Sequence, residues 1–394
     1  MNTEPIDILI AGGGPVGAAL ALALQDSGHS VVLTEARSAE AGGACSPDSG
    51  SERGSKSVDA RPIALSYSSR LILERLNAWS GLAATPIETI HVSQQGGFGR
   101  TRISAADCGV PALGYVVTYD KLQQGLLAMP CSGRRIFSAK LSAFDGATAV
   151  VLTQVGELAF APRLTIFADG AGVVDDRAVP AYNKDYRQTA VVAWVKSAAA
   201  HRGRAWERFT PEGPLALLPY GADYGLVWTT SPKRAAHLSA LDTPAFLAQL
   251  HAAFGDRLGA FTEAGERSTF PLALRYRRDD TQPRSLCVGN AAQTLHPVAG
   301  QGFNLGLRDA WELARLARDA RDPGSDSFCA HYRRARAPDR RAGIQFTDSL
   351  VGLFSNSNPL LKLGRGAGLL ALDLVPFARR FVARRMIYGA NALP

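Results

Sequence analysis

The sequence predicts an α/β protein: a parallel βαβ domain, an antiparallel sheet inserted into it, and a helical C-terminal region. Three observations predict this. The apolar run Ile6 to Ala11 ends in glycines, as buried parallel strands do, and a second such run, Ser285 to Gly289, returns far downstream and leads into a helix. Between them, residues 176–274 carry strand-like segments punctuated by Gly213-Pro214 and Gly221, the pattern of an antiparallel sheet. Beyond residue 325 the spacing is that of amphipathic helices, and no internal repeat is present.

Each element follows from its residues. Pro15 to Gln25 is rich in alanine and leucine and predicts a helix, with Pro15 in its first turn and Gly28 at its C-terminal cap. Ser30 to Ala36 is a second buried strand, which completes a βαβ opening. Residues 40–57 are dominated by Gly, Ser, Pro and charge and predict a surface loop. Ala64 to Trp79 has helical spacing, and Thr89 to Ser104 and Gly114 to Thr118 predict strands. Asp120 to Ala128 predicts a helix capped by Asp120, and Arg163 to Ala168 a buried strand. In the middle section Ala190 to Val195, Leu215 to Tyr220 and Gly225 to Thr230 predict strands, with a helix over Pro244 to Phe254. A long helix is predicted from Phe303 to Asp319. The organisation expected is a nucleotide-binding domain in three parts (1–80, 113–175, 276–325), a second domain from 81–112 and 176–275, and a helical region over 326–394.

The 394 residues are 46% hydrophobic and 20% charged, a globular balance rather than a disordered one. No apolar run reaches the ~18 residues needed to span a bilayer. Acidic Glu4 and Asp7 stand at the start of the first apolar run, where a secretory signal wants positive charge, so a cytoplasmic location is expected. The five cysteines are far apart with no CxxC pair, which predicts reduced thiols and no metal site. The net charge of +8, dense around Arg333-Arg334 and Arg340-Arg341, fits a solvated helix face or an anionic membrane surface. No nucleic-acid motif accompanies it, so no nucleic-acid partner is expected.

Three motifs carry chemistry. The first, Gly12-Gly13-Gly14-Pro15-Val16-Gly17, is a GxGxxG between strand and helix. Gly12 permits a tight turn, Gly14 lets backbone approach a pyrophosphate, Gly17 lets the helix pack on the strand, and the helix start favours anions. Glu35, at the end of the second strand, suits ribose hydroxyls, with Arg37 beside it. The domain is therefore Rossmann-type. The second motif, Asp169-Gly170, ends a predicted strand and is, alone, also an ordinary turn. The third runs from Gly289-Asn290 through His296-Pro297 to Gly300-Gln301-Gly302-Phe303-Asn304, where a glycine-rich loop opens a helix and could lie against a flat, anionic group.

These motifs occur in this order in class A FAD-dependent aromatic hydroxylases, which the chain resembles. Asp59 to Ser66 (with Arg61), Glu207-Arg208-Phe209-Thr210 with Gly213 to Pro219, and Thr347 to Leu350 resemble the ubiquinone-biosynthesis branch, and within it the 2-polyprenyl-6-methoxyphenol hydroxylases. The resemblance implies a Rossmann-type FAD-binding domain of the glutathione-reductase/p-hydroxybenzoate-hydroxylase type with an inserted antiparallel-sheet substrate domain. It implies FAD as cofactor and NAD(P)H as electron donor. Gly12, Gly14, Pro15 and Gly17 would hold the pyrophosphate, Glu35 the adenosine ribose, and Arg61 would lie near the flavin. Asp169 would support the pyrophosphate region and nicotinamide traffic, Asn290 would reach the ribityl chain, and the Pro297 to Gly302 loop would line the ring, with Gly170, Gly289, Phe303 and Asn304 also expected to bind the cofactor. Asn290 stands where most relatives carry Asp, and its amide oxygen still accepts a hydrogen bond. Ala171 to Val174 departs from the family's usual continuation.

The implied reaction proceeds through a C4a-hydroperoxide of reduced FAD, whose distal oxygen attacks a phenol-activated ring carbon. No protein nucleophile is needed. His296 is the candidate base, with Pro297 beside the ring, and Phe209, Leu218, Pro219 and Trp228 are candidates to line the substrate chamber. A polyprenylated phenol and O2 are the expected substrates. The tail calls for an apolar channel to the surface, with peripheral contact at the inner membrane or a ubiquinone-biosynthesis protein assembly. Another class A enzyme acting on a small aromatic or polyketide, or a flavin-binding scaffold of low turnover, remains open at this point.

Overall fold

The computed structural model describes residues 3–38, 61–170, 181–277, 282–356 and 358–390. The expected loop at 40–57, Asp59, Ala60, Cys45 and the stretch Ala171 to Val174 lie outside these residues.

The chain opens with β1 (Glu4–Ala11), α1 (Pro15–Ala23) and β2 (Val31–Glu35). Every residue of β2 is buried, as expected for a strand covered on both faces. Helix α1 ends at Ala23, capped by Leu24 in right-handed conformation, so Gly28 lies in the turn beyond and is not its cap. The next segment differs from its helical expectation: β3 (Pro62–Ser66) precedes α2 (Tyr67–Arg75). Ala64 to Ser66 pair with a later strand, and the Ser66 hydroxyl, accepting from Ser69 N, sets the helix start.

Strands β4 (Thr85–Ile87), β5 (Thr89–Gln94) and β6 (Arg100–Ser104), the turn α3 (Ala105–Cys108) and β7 (Gly114–Thr118) follow. Helix α4 (Tyr119–Ala128) starts one residue earlier than expected. Thr118 takes the cap position, and Asp120 sits in the first turn. Strands β8 (Arg134–Phe137), β9 (Lys140–Phe144), β10 (Ala149–Thr153) and β11 (Gly156–Phe167) then join β1 and β2 in one sheet of order β8-β2-β1-β11-β10-β9. β1 and β11 run parallel, pairing Ile8 with Leu164 and Ala11 with Phe167. This register brings Asp169, two residues past β11, level with the glycine loop past β1.

The second sheet is built from β12 (Ala181–Ser197), β13 (Arg204–Thr210), β14 (Gly213–Tyr220) and β15 (Asp223–Thr230), then α5 (Pro232–Ala240), α6 (Thr243–Phe254), β16 (Phe261–Ala264) and β17 (Ser268–Arg277). β5 runs parallel to β13, so the early hairpin β5–β6 extends this sheet. Trp206, Leu215, Leu217, Leu226 and Trp228 pack under α5 and α6.

β18 (Ser285–Cys287) returns to the first sheet beside β11, and β19 (Gln293–Thr294) pairs with β17 in the second. The chain therefore crosses between sheets within a few residues. Helices α7 (Gln301–Arg318), α8 (Asp326–Phe354), α9 (Pro359–Leu374) and α10 (Pro376–Tyr388) complete the chain. α7 packs against α1 and closes the first core with Leu313, Ala314 and Ala317. A buried ionic cluster joins α7 to α8: Arg336 bonds Asp309 at 2.7 Å and Asp339 at 2.7 Å, and Arg308 bonds Asp339 at 2.8 Å.

Candidate active site

A cavity of about 1020 Å³ runs between the two sheets. One end is formed by the loops after β1, β2 and β11; the other is an apolar chamber walled by the second sheet and by α8, α9 and α10.

The polar end is made by tight backbone approaches. Gly12 has φ +112°, and a side chain there would collide with the Asp169 backbone. A side chain at Gly17 would overlap the Gly12 carbonyl oxygen. Gly14 precedes α1 without a side-chain cap, so the first amides of that helix open on the cavity beside Gly12, Pro15 and Val16. Glu35 Oε1 accepts from Arg37 N at 2.9 Å. Gln123 on α4 accepts from Arg37 Nη1 at 2.9 Å and donates to the Gly13 carbonyl at 3.0 Å. It thereby ties the β2 end to the glycine loop. The Arg61 guanidinium lies between the rings of Tyr119 (5.2 Å) and Phe270 (4.7 Å) on the cavity wall.

Asp169 and Gly170 line the same end. Asp169 Oδ2 is buried without a partner among the described residues. Burial pushes this carboxyl up to about 6, against the opposing pull of Arg277 and Lys140. Asn290 is exposed to the cavity, while Gly289 (φ +60°) packs on Val16 of α1. Pro297, Gly300, Gly302 and Phe303 line the junction between the two ends. The loop there makes two consecutive left-handed residues, Ala299 (φ 59°) and Gly300 (φ 61°).

The FAD binding domain family matches residues 135–347. Ubiquinone hydroxylase UbiL of Rhodospirillum rubrum is 34% identical over 96% of this chain and 89% of its own length. The 3-demethoxyubiquinol 3-hydroxylase of Escherichia coli is 30% identical over 96% and 98%. The chain belongs to the FAD-dependent aromatic hydroxylases of ubiquinone biosynthesis. Human COQ6, a ubiquinone biosynthesis monooxygenase, is 28% identical over 94% of this chain and 90% of its own. The fold is also that of p-nitrophenol 4-monooxygenase PnpA from Pseudomonas putida, with a TM-score of 0.73, 15% identity and 98% of each chain covered.

The residues of this hydroxylase fit FAD. Uncapped amides at the start of α1, the Asp169 carboxylate with its Oδ2 unpartnered among the described residues, and open space over Gly302 all border one cavity. The structure corrects five of the site residues expected from sequence. His296 is fully buried and absent from the cavity lining. Its Nδ1 accepts from Val298 N at 3.1 Å, its ring meets Tyr186 edge-on, and burial pushes it down to about 4, so it shapes the loop and is a poor base. Asn304 is spent inside the fold, accepting from Ser66 N and Ser69 Oγ at 2.7 Å each and donating to the Ala64 and Gly300 carbonyls. Gln301 turns toward the Ala299 and Met386 carbonyls. Trp228 and Pro219 fall on the wrong parity of their strands: Pro214, Ala216, Leu218, Val227 and Thr229 face the cavity, and Trp228 faces α5 and α6. Phe209 and Leu218 do line the chamber. Sequence reasoning missed Gln123, Tyr119 and the chamber face of α8 to α10. Only the position of Tyr119 and Gln123 just after a strand end hinted at the first two.

Proposed function

We propose that this hydroxylase oxygenates the ring of a polyprenylated phenol of the 2-polyprenyl-6-methoxyphenol type, with NAD(P)H as electron donor. The single observation that carries this reading is the continuity of the cavity. At about 1020 Å³ it stands at the top of the usual ~300–1,000 Å³ of a small-molecule site, and its second half is walled by apolar residues up to Leu372, Val382 and Met386. A dinucleotide and a ring with an apolar tail fit that division.

In this reading Gly12, Gly14, Pro15, Gly17 and the start of α1 hold the pyrophosphate, and Glu35, fixed by the Arg37 amide, takes the adenosine ribose. Asp169 lies toward the pyrophosphate region, its unpartnered Oδ2 an acceptor for a cofactor hydroxyl, and Asn290 accepts from the ribityl chain. Arg61 and the loop from Pro297 to Phe303 flank the ring system. Bound FAD supplies the oxygen chemistry, delivering one atom of O2 to the substrate ring as an electrophile. The protein orients the ring and excludes water.

The outer faces of α9 and α10 support a further part of the reading. Leu360 (79% exposed), Leu374 (70%) and Phe377 (80%) project outward, with Arg380, Arg384 and Arg385 exposed beside them. Among the described residues no helix is long and apolar enough to cross a membrane. We propose that this face rests on the inner membrane, from its cytoplasmic side, and passes the prenyl tail inward, since the same helices line the chamber. A ubiquinone-biosynthesis assembly is the other candidate occupant of this face.

The test is turnover by the purified FAD-loaded protein with NADH or NADPH and a 2-prenyl-6-methoxyphenol carrying a short tail. A product heavier by one oxygen, formed faster than with free flavin, is expected. NAD(P)H oxidation without oxygenated product would overturn the substrate assignment.

A further inference from the structure

Across the chamber floor, one row of side chains reads Thr101, Val92, Glu207, Ala216, Val227, Val192 from strand to strand. All six line the cavity. The row contains a single ionisable group. Among the described residues the cavity's other carboxylates, Glu35 and Asp169, belong to the polar end. Glu207 Oε1 is shut from solvent and has no hydrogen-bond partner among the described residues. Burial alone pushes the carboxyl up to about 7. A carboxylate held in this way is costly unless something satisfies it, and the side chain, half-buried, lines the chamber, where a ligand can reach it.

Its position relative to the flavin loop is defined by packing. Val298 of that loop shares one cluster with Phe209, two residues along β13 on the same face, and with Val92, the cross-strand partner of Glu207. Among the described residues no charge acts on it: Arg37, Arg61 and Lys140 line the same cavity, at its polar end or against Tyr119 and Phe270. His91 lies on the opposite face of β5 against Trp206, and Arg208 on that of β13, donating to the Ala253 carbonyl. Arg100 and Arg102 on β6 alternate with chamber-facing Thr101 and Ile103 and are exposed. On α8 Asp348 is held by Lys184 and Tyr186, and on α9 Arg365 donates to the Leu353 and Phe354 carbonyls. β14 and β15 contribute only Ala216 and Val227 to the row.

We propose that Glu207 accepts the phenolic hydrogen bond of the substrate and takes its proton as the ring is oxygenated. This rests on the substrate reading above. The ring carbon forms its C–O bond to the electrophilic oxygen with a π pair, and the oxygen donor departs with the electrons of the bond it loses. A lone pair of the phenolic oxygen becomes the C=O π bond, its O–H breaks, and the proton passes to the Glu207 carboxylate. Loss of the ring hydrogen then restores aromaticity. A phenol of pKa ~10 gives its proton to a group near 7 at about a thousandfold disadvantage in the ground state. The transfer therefore waits for oxygen addition, which makes the O–H strongly acidic, and the site never has to hold a free phenolate beside FAD.

Two variants of the FAD-loaded protein test this. Glu207→Gln keeps the shape and an acceptor oxygen but cannot take the proton. Its kcat should fall about 100-fold, with KM within a few fold, and lose the wild-type rise with pH through about 7. Glu207→Leu removes the acceptor. Binding is read without turnover, from the absorbance of oxidised FAD on titration with 2-methoxyphenol or its methyl ether, 1,2-dimethoxybenzene. Wild type and Glu207→Gln should prefer the phenol by about 10-fold or more, and Glu207→Leu should bind the two alike. A Glu207→Gln protein with wild-type kcat and pH profile, or a Glu207→Leu protein that keeps the preference, overturns the assignment. If the wild type oxygenates no prenylated phenol, the substrate reading fails, and the binding preference alone upholds or overturns Glu207 as the phenol acceptor.

Discussion

At Asp169 two demands oppose each other in the proposed reading: the fold buries the carboxylate, and the cofactor uses it as an acceptor. Its raised pKa of about 6 means that the cofactor-free protein bears the cost of a buried charge above that pH, and none below the ordinary carboxylate value near 4. Asp169→Asn should therefore raise the melting temperature of the FAD-free protein at pH 7, with the gain fading between pH 6 and 4. It should also weaken FAD binding by about 10-fold, read by fluorescence titration. Gly300 makes a different prediction. Its left-handed backbone is strained for any side chain, and the Ala64 Cβ at 3.1 Å would have to give way to a methyl group, so Gly300→Ala should lose about 1–3 kcal/mol in urea unfolding. Such residues were legible in the sequence because the constraint is local: Gly12 and Asp169 sit just past strand ends and Gly17 in the first turn of α1, where the motif places them. Gln123, Glu207 and Trp228 were not. Their roles depend on which side of a strand or helix meets its partner, a hundred residues away for Gln123 and Glu207 and across the α5–α6 packing for Trp228.

At the scale of elements, the buried cluster of Arg308, Arg336, Asp309 and Asp339 decides how α8 sits on α7. Burial would raise the Asp339 carboxyl, but the guanidinium groups of Arg308 and Arg336 hold it down to about 2. A depressed carboxyl contributes stability that is present in full above its unfolded value and lost as pH falls through the folded one. Asp339→Asn should cost about 3–5 kcal/mol at pH 7, since it leaves guanidinium charge buried and uncompensated. The gap from wild type should close as acid unfolding is followed from pH 4 to 2. Apolar periodicity announced these helices well. It failed where tertiary pairing overrode it: Ala64 to Ser66 read as the start of a helix, yet they pair with β7, and their backbone is held by Asn304 from across the molecule.

For the whole molecule, the outward residues of α9 and α10 imply a measurable partition. The double variant Leu374→Ser, Phe377→Ser should reduce sedimentation with phosphatidylglycerol vesicles by about 10-fold or more, with FAD absorbance unchanged. Unaltered sedimentation would point instead to a protein partner on that face. The order of the two sheets was legible because strands with different patterns alternate along the chain. That residues 346–386 supply part of the chamber wall was not, because an amphipathic helix looks the same whether its apolar stripe meets a core or a cavity. The alternation along β13 to β15 has one more consequence. Odd and even positions serve different masters there: one set packs α5 and α6, and the other paints the chamber. A library confined to Val92, Glu207, Ala216, Leu218, Val227 and Thr229 should explore new ligand shapes with little loss of folded protein. A single-residue insertion in any of these strands would exchange the two roles at once. Descent with altered specificity is thus expected to proceed by point substitution at alternate positions, and length changes to be confined to the turns.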